Sequence, residues 1–160
     1  MDAGQPESAE VLHDTIEHRD EARRASYVEV DAVVLHDVEA RLDARRSDIG
    51  AFFGIALSAR EGAGFVRYPD GGFYRPHRDR ANVPSWPEAA RRRIAVVVFL
   101  NSSRESDPQG GFAGGVLRLL EGEAHLAPKA GMLVAFPADV LHEVTMVRNG
   151  TRDAIVDWFY

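Results

Sequence analysis

Two histidines and one aspartate are the residues of this chain whose types and spacing best suit metal chemistry. His77 and Asp79 end the stretch Tyr68-Pro-Asp-Gly-Gly-Phe-Tyr-Arg-Pro-His-Arg-Asp79, and His142 follows far downstream. On a strand, positions i and i+2 face the same side, so His77 and Asp79 are expected to point together. Two histidines and one carboxylate form the facial triad of non-haem Fe(II) oxygenases, which keeps coordination positions open for ligands.

Zinc is the chemical alternative, because His/His/Asp with a bound water also occurs at hydrolytic zinc sites. The chain has no His-Glu-x-x-His motif and no obvious general base on a helix, which disfavours zinc hydrolysis. The other four histidines are weaker candidates. His13, His18 and His36 lie in a charged helical region, and His125 alternates within a predicted strand where a solvent-facing position is expected.

Composition places the chain among ordinary globular domains. Its 160 residues predict one domain, with 45% hydrophobic and 28% charged residues. A net charge of −6 forces no basic face and argues against a nucleic-acid partner, and Arg91-Arg92-Arg93 is the only dense basic run. The absence of cysteine excludes disulfides, thiolate zinc sites and iron–sulfur clusters, so His, Asp or Glu must hold any metal.

No membrane or export signal is evident in the sequence. The acidic start lacks the apolar core of a signal peptide, and no stretch approaches the roughly 20 apolar residues of a membrane span. A cytoplasmic location without a membrane partner is therefore the expectation.

The first third of the chain predicts helices that buttress a sheet. Residues 1–8 are expected to form a loose terminus, and Ser8 is a candidate N-cap of a solvated helix that ends near residue 25. Residues 31–46 predict an amphipathic helix with Asp31 as its cap. Its apolar stripe is formed by Val34, Leu35, Val38 and Leu42.

From residue 50 onwards the pattern changes to short strands separated by turns. Strands are predicted at 51–58, 64–69, 93–100, 116–120, 124–127, 132–136, 143–147 and 153–160, and His77 is expected to open a further strand or lie at its edge. Residues 81–90 predict an irregular loop, and 101–114 a long mobile one. Short strands at this spacing are typical of a sandwich or barrel, of which the jelly roll is one form.

Six sequence segments together resemble one protein family. They are residues 67–79 (RYPDGGFYRPHRD), 93–101 (RIAVVVFLN), 114–119 (GGVLRL), 131–136 (GMLVAF), 141–144 (LHEV) and 150–159 (GTRDAIVDWF). In this order and at these spacings the chain resembles the Fe(II)/2-oxoglutarate-dependent dioxygenases, and within them the prolyl 4-hydroxylase-like group. The resemblance covers residues 65–160, whereas the part before residue 60 has no specific match.

The resemblance implies a fold and a set of ligand-binding residues. The fold is a double-stranded β-helix (jelly roll), mainly β with flanking helices, in a single domain over residues 1–160 with its core at 50–160. Fe(II) would be bound by His77, Asp79 and His142. The co-substrate 2-oxoglutarate would place its distal carboxylate on Arg152 and on the hydroxyl of Tyr68. The planar fork of arginine suits a carboxylate, which supports the role of Arg152 independently.

Three further residues are candidates without a defined role. Tyr74 matches an aromatic position near the iron, where it would pack or contact substrate. Trp158 is a core residue or a substrate platform, and Asn101 forms a turn or lines the mouth of the site. Gly114-Gly115 is expected to serve backbone geometry.

The activity implied by the resemblance is hydroxylation of an unactivated C–H bond. Dioxygen and 2-oxoglutarate are consumed, succinate and CO2 are released, and no catalytic residue beyond the metal ligands is assigned. The expected substrate is a prolyl residue in a peptide or protein, or a free amino acid or other small molecule. A desaturase or cyclase on the same scaffold remains open, as does a non-catalytic or zinc-occupied jelly-roll binding module. Loops 78–91 and 102–114 carry nothing diagnostic of the substrate, and no signature indicates an oligomeric state.

Overall fold

A computed structural model describes residues 6–8 and 19–160 of the chain. Two antiparallel sheets dominate this part of the molecule. The first sheet has the strand order β1-β3-β4-β13-β6-β10, the second β2-β5-β11-β8-β9, and β12 pairs with β7 separately. The strands are β1 (Pro6–Ser8), β2 (Arg23–Arg24), β3 (Ser26–Val28), β4 (Gly64–Tyr68), β5 (Phe73–His77), β6 (Ile94–Phe99), β7 (Ala113–Gly114), β8 (Leu117–Leu119), β9 (Ala124–Leu126), β10 (Leu133–Pro137), β11 (His142–Val144), β12 (Val147–Arg148) and β13 (Arg152–Phe159).

The two sheets pack face to face around a shared core. Phe99 of β6 and Ala154 of β13 in the first sheet pack with Leu117 of β8 in the second. Tyr68 of β4 and Tyr74 of β5 belong to a second buried cluster between the sheets. Strands that alternate between two packed sheets form the double-stranded β-helix predicted from the sequence.

Strand β6 is the most deeply buried strand, as its continuous apolar sequence predicts. It lies between β13 and β10, so both of its edges are paired. Ile94 and Val96 face a cluster that includes the helices, while Ala95, Val97 and Phe99 face the second sheet. The strand therefore needs apolar side chains on both faces.

The helices flank the two sheets, and two of them pack against the first sheet through Leu42 and Ile49. They are α1 (Arg19–Ala22), α2 (Ala32–Asp43), α3 (Arg46–Phe53) and α4 (Pro87–Arg91). The predicted cap is confirmed, because Asp31 Oδ1 accepts a hydrogen bond from Val33 N at 2.8 Å. None of the helices in the described ranges is long and apolar enough to span a bilayer.

The apolar stripe of α2 differs from the prediction at one position. Leu35, Val38 and Leu42 pack against Ile49 and the sheet, but Val34 is 48% exposed. Residues at i, i+3 and i+7 share one side of a helix, and Val34 is rotated away from that side.

Two elements of the first third were predicted wrongly. Residues 51–58 form no strand, because α3 continues to Phe53 and ends at Gly54, whose φ of 67° terminates the helix. Residues 6–8 form β1, which pairs with β3, so the prediction of a loose terminus is wrong for these three residues and Ser8 is not a helix cap; residues 1–5 lie outside the described residues. Residues 23–24 and 26–28 are strands, and most of the remaining predicted helix lies outside the described residues. At residues 23–24, pairing with β5 overrides the local preference for helix.

The loops near the site are more ordered than the sequence indicates. Residues 81–90 contain the start of α4. In the segment 101–114, Ser103 and Phe112 are completely buried, and Ser103 N donates to Pro128 O at 2.9 Å. This segment is therefore a packed connection and not the predicted mobile loop. His77 is the last residue of β5, so it lies at the edge of a strand, one of the two positions predicted for it, and does not open one.

Candidate metal centre

His77 and His142 are direct cross-strand neighbours in the second sheet. His77 is the last residue of β5, His142 is the first of β11, and the register of the two strands sets them opposite each other. Their ring centroids are 4.1 Å apart, and both side chains are buried. Strand pairing thus joins two histidines that are 65 positions apart in the sequence (142 − 77).

Backbone contacts orient both imidazole rings in the same way. His77 Nδ1 lies 2.8 Å from the carbonyl oxygen of Arg75, and His142 Nδ1 lies 2.9 Å from that of Val140. A carbonyl oxygen can only accept, so Nδ1 carries the proton in both rings. The lone pair of each neutral ring is then on Nε2, and this tautomer suits metal ligation.

Asp79 completes the group from just beyond the end of β5. Its Oδ1 lies 3.4 Å from His77 Nε2 and 3.6 Å from His142 Nε2. The candidate ligand atoms of the three residues all lie within 4.8 Å of one another. Within the described part of the chain, this is the one group of three or more His, Asp or Glu residues that is close enough to share an ion.

The electrostatics of the group favour the ligand forms of these residues. Burial alone would raise the pKa of Asp79, but His142, His77 and the hydrogen bond from Trp158 outweigh it and hold that pKa well below its usual range. Burial lowers the pKa of His142 despite the neighbouring carboxylate of Asp79. An ionised carboxylate beside a neutral imidazole is the protonation state in which metal ligands bind.

Arg152 and Tyr68 stand opposite each other on the adjoining strands β13 and β4. The guanidinium centre of Arg152 lies 4.8 Å from the ring centroid of Tyr68, and both residues line the same pocket as the metal group. Arg152 is 2% exposed, and its Nε has no hydrogen-bond partner among the described residues. Burial lowers the pKa of Arg152. A buried donor of this kind calls for an anionic acceptor.

The glycine at position 115 makes room for this arginine. Its φ is 62°, a left-handed conformation that favours glycine. A Cβ atom at this position would lie 2.8 Å from Arg152 Cδ and 3.1 Å from Phe112 Cε2. The backbone role expected for Gly114-Gly115 therefore includes the close approach of the Arg152 side chain.

The three candidate residues without a defined role, Tyr74, Trp158 and Asn101, have different surroundings in the structure. Tyr74 lines the pocket and stacks on His77, with ring centroids 3.4 Å apart and planes inclined by 14°. Trp158 also lines the pocket, and its Nε1 donates to Asp79 Oδ2 at 2.8 Å. Asn101 lies outside the pocket lining. Its side chain donates to Thr151 O and accepts from Asp153 N, so it secures the backbone on both sides of Arg152.

Sequence reasoning missed several residues of the pocket, among them Arg23, Trp86 and Arg92. Arg23 of β2 pairs opposite Tyr74, and its guanidinium centre lies 4.5 Å from the Tyr74 ring. Trp86 and Arg92 line the same pocket, and the guanidinium centre of Arg92 lies 4.6 Å from the Trp86 ring centroid. Arg92 belongs to the basic run yet is only 1% exposed, a position that no local pattern reveals.

The family is established by comparison with known sequences. The sequence model of the 2OG-Fe(II) oxygenase superfamily matches residues 63–160. A PKHD-type hydroxylase of Alteromonas mediterranea is 32% identical over 98 residues, which make up 59% of this chain and 41% of that protein. A PKHD-type hydroxylase of Synechococcus elongatus is 36% identical over 98 residues, 59% of this chain and 40% of that protein. The chain thus matches about two fifths of the length of these curated relatives.

Solved structures agree with this assignment. A prolyl-4-hydroxylase of Pseudomonas putida superposes with a TM-score of 0.67 at 30% identity, covering 86% of this chain and 72% of that one. A prolyl hydroxylase of Trichoplax adhaerens, solved with a hypoxia-inducible-factor peptide, gives a TM-score of 0.72 at 18% identity, covering 97% and 70% of the two chains. The second likeness supports the fold alone. The matched family model, the P. putida structure and the histidine–aspartate group show that this chain belongs to the 2OG-Fe(II) oxygenase superfamily.

Proposed function

We propose that this chain is an Fe(II)- and 2-oxoglutarate-dependent dioxygenase that hydroxylates an unactivated C–H bond. The observation that carries the proposal is the convergence of His77 Nε2, His142 Nε2 and Asp79 Oδ1 in one buried pocket with Arg152. The same pocket thus offers a metal-binding face and a cation for a dicarboxylic co-substrate. A non-catalytic binding module would not require both a metal-binding face and a cation for a dicarboxylate in one pocket.

The donor set fits Fe(II). Two imidazoles and one carboxylate hold a ferrous ion without a thiolate, and they occupy one side of it. When bound, the metal supplies the activation of dioxygen that drives oxidation of the substrate. The chain contributes the orientation of its ligands, through the backbone contacts of His77 and His142 and through the indole N–H that holds Asp79.

The arginine end of the pocket fits 2-oxoglutarate. Arg152 presents a buried Nε that lacks a partner among the described residues, and a carboxylate would supply the acceptor. Tyr68 stands beside it and offers a hydroxyl to the same carboxylate. We assign Arg152 and Tyr68 to the distal carboxylate, so that the other end of the co-substrate is directed towards the histidines.

Apolar side chains form part of the wall of this pocket. Val97, Leu117, Val144 and Val156 line the pocket between the polar groups. The ring of Tyr74 covers His77 from one side. A dry wall strengthens electrostatic contacts inside the pocket and limits side reactions with water. No side chain is assigned as an acid or base.

The proposed substrate is a prolyl residue in a peptide or protein. A similar protein of Pseudomonas putida, 30% identical and of solved structure, is a prolyl-4-hydroxylase, which supports a prolyl substrate. Tyr74 and Trp86 line the same pocket as the metal group and are the aromatic side chains proposed to contact this substrate. Free amino acids or other small molecules are the alternative substrates on the same site.

Turnover of 2-oxoglutarate tests this function. The purified protein with Fe(II), dioxygen and 2-oxoglutarate should form succinate, and a panel of prolyl peptides and free amino acids should stimulate it. The stimulating compound should gain one oxygen atom by mass spectrometry. Loss of two hydrogens without gain of oxygen would instead identify a desaturase or cyclase. If no succinate forms with any compound while the protein binds Fe(II), the enzyme hypothesis is wrong.

A further inference from the structure

The two carboxylate oxygens of Asp79 have different surroundings. Oδ1 faces the Nε2 atoms of His77 and His142 at 3.4 and 3.6 Å. Oδ2 points the other way and accepts a hydrogen bond of 2.8 Å from Trp158 Nε1. One oxygen is therefore presented to a metal, and the other is already engaged by the protein.

Trp158 is held rigidly in this position. It lies in β13, the strand that pairs with both β4 and β6. The guanidinium centre of Arg92 sits 3.7 Å from its ring centroid and 4.6 Å from that of Trp86. Trp158 is thus fixed at its backbone by strand pairing, and the buried guanidinium of Arg92 packs on the face of its indole ring.

Arg92 is fixed by its own hydrogen bonds. Its Nε and Nη2 donate to the two carboxylate oxygens of Glu61 at 2.6 and 2.5 Å. Its Nη1 donates to the backbone carbonyl of Asp79 at 3.1 Å. Arg92 therefore contacts both the backbone of Asp79 and the indole that donates to the Asp79 carboxylate.

The orientation of Asp79 decides how many positions a bound metal keeps open. A carboxylate that binds through both oxygens occupies two positions, while one that binds through a single oxygen occupies one. Three single ligands leave three positions for the chelating co-substrate and dioxygen. Binding through both oxygens would remove one of these three.

We propose that Trp158 is a positioning residue that restricts Asp79 to single-oxygen ligation. Its indole N–H occupies Oδ2, and Arg92 keeps the indole in place. This inference rests on the proposed function, since it concerns the metal that His77, Asp79 and His142 would share. Hydrogen bonds to metal ligands generally fix their orientation in this way.

The test counts the water molecules on a bound Mn(II), a stand-in for Fe(II), in the variant Trp158→Phe. Phenylalanine keeps an aromatic ring against Arg92 but removes the N–H donor. Water-proton relaxation of the Mn(II)-loaded protein without co-substrate should report about one exchangeable water fewer than in the wild type. An unchanged water count in this variant would overturn the proposal.

Trp86→Phe is the matched control. Trp86 also stacks on Arg92 and lines the pocket, but it makes no hydrogen bond to Asp79. Its Mn(II) water count should equal that of the wild type. The same loss in both variants would mean that stacking on Arg92, and not the hydrogen bond, sets the ligation, which also overturns the proposal.

A measurement on the wild-type protein avoids any folding defect of the variants. The chain has only two tryptophans, so 15N labelling gives two indole signals, which Trp86→Phe assigns. After loading with diamagnetic Zn(II), the Trp158 indole proton should stay protected from solvent exchange. Rapid exchange of this proton in the loaded protein would show that the hydrogen bond breaks when metal binds.

The variant His77→Ala separates this inference from the proposed function. If His77→Ala binds Mn(II) as tightly as the wild type, the metal centre itself is misplaced and the proposed function fails. If His77→Ala loses Mn(II) while Trp158→Phe keeps the wild-type water count, only the role of Trp158 fails.

Discussion

The two ends of the pocket are organised in different ways. At the metal end, hydrogen bonds within the protein orient the side chains of His77, His142 and Asp79. The Nδ1 atoms of both histidines contact backbone carbonyls, and Asp79 Oδ2 accepts from Trp158. At the arginine end, Arg152 Nε is buried and has no acceptor among the described residues. The side chains at the metal end are therefore hydrogen-bonded within the protein, whereas the buried donor at the arginine end would be paired by an anionic ligand.

One strand connects the two ends. Arg152 and Trp158 are six positions apart on β13, so they lie on the same face of the sheet. Val156 lies between them on that face and lines the pocket. A single strand thereby sets the distance between Arg152 and Trp158, the residue whose indole donates to Asp79. The contrast predicts that damage at one end leaves binding at the other largely intact.

The largest effect is expected from His142→Ala. Removing one of two imidazoles leaves too few ligands to hold the metal, so Fe(II) binding and 2-oxoglutarate turnover should be abolished. Anaerobic metal titration and a succinate assay measure both. His125→Ala, on an exposed position of β9, is the control and should match the wild type. Wild-type metal affinity in His142→Ala would show that His142 is not a metal ligand.

A smaller and more selective effect is expected from Arg152→Met. Methionine keeps the apolar volume but removes the fork that binds a carboxylate, so the KM for 2-oxoglutarate should rise about 100-fold. Mn(II) affinity without co-substrate should stay near that of the wild type. Arg148→Met, at an exposed position of β12, should change neither value. A parallel loss of metal in Arg152→Met would show that the two ends are not independent.

Tyr68→Phe should weaken the arginine end to a lesser extent. The change removes one hydroxyl and keeps the ring that packs beside Arg152. Loss of one hydrogen bond to a charged group should raise the KM for 2-oxoglutarate about 10-fold, as steady-state kinetics would measure. An unchanged KM would remove Tyr68 from the co-substrate site and assign it to packing.

Asn101→Ala should give the smallest effect on the ligand and a visible one on stability. Its two hydrogen bonds flank Arg152 without entering the pocket, so unfolding by urea should show a loss of about 1–2 kcal/mol. The KM for 2-oxoglutarate should stay within about threefold of the wild type, because the guanidinium itself is unchanged. Asn82→Ala, at an exposed position, serves as the stability control. A 10-fold rise in KM would mean that Asn101 contributes to binding directly.

Local sequence signals predicted the elements that depend on local physics. Asp31 caps α2 because its side chain reaches a backbone N–H two residues later. The apolar run of β6 indicated a buried strand, and the structure buries it on both faces. The same signals failed at residues 51–58, where α3 continues to Phe53, and at residues 23–24, where pairing with β5 gives a strand in place of the predicted helix.

The burial of two arginines, Arg92 and Arg23, could not be predicted from the sequence either. Arg92 stands in a basic run that composition assigns to the surface, yet Glu61 and two tryptophans bury it. Arg23 stands in a charged segment far before the matched family region, yet β2 brings it against Tyr74. Neither position has a local pattern that distinguishes it from an exposed arginine.

The sequence by itself determined the chemistry of this protein: two imidazoles, a carboxylate two positions from one of them, and an arginine near the end of the chain. Residue types and short covalent spacings are sufficient for that. Only the tertiary structure decided that His142 lies opposite His77, that Asp79 Oδ2 accepts from Trp158 while Oδ1 faces the histidines, and that Arg152 Nε is buried without an acceptor among the described residues. These features depend on strand register and packing between distant segments, which side-chain burial across both sheets fixes.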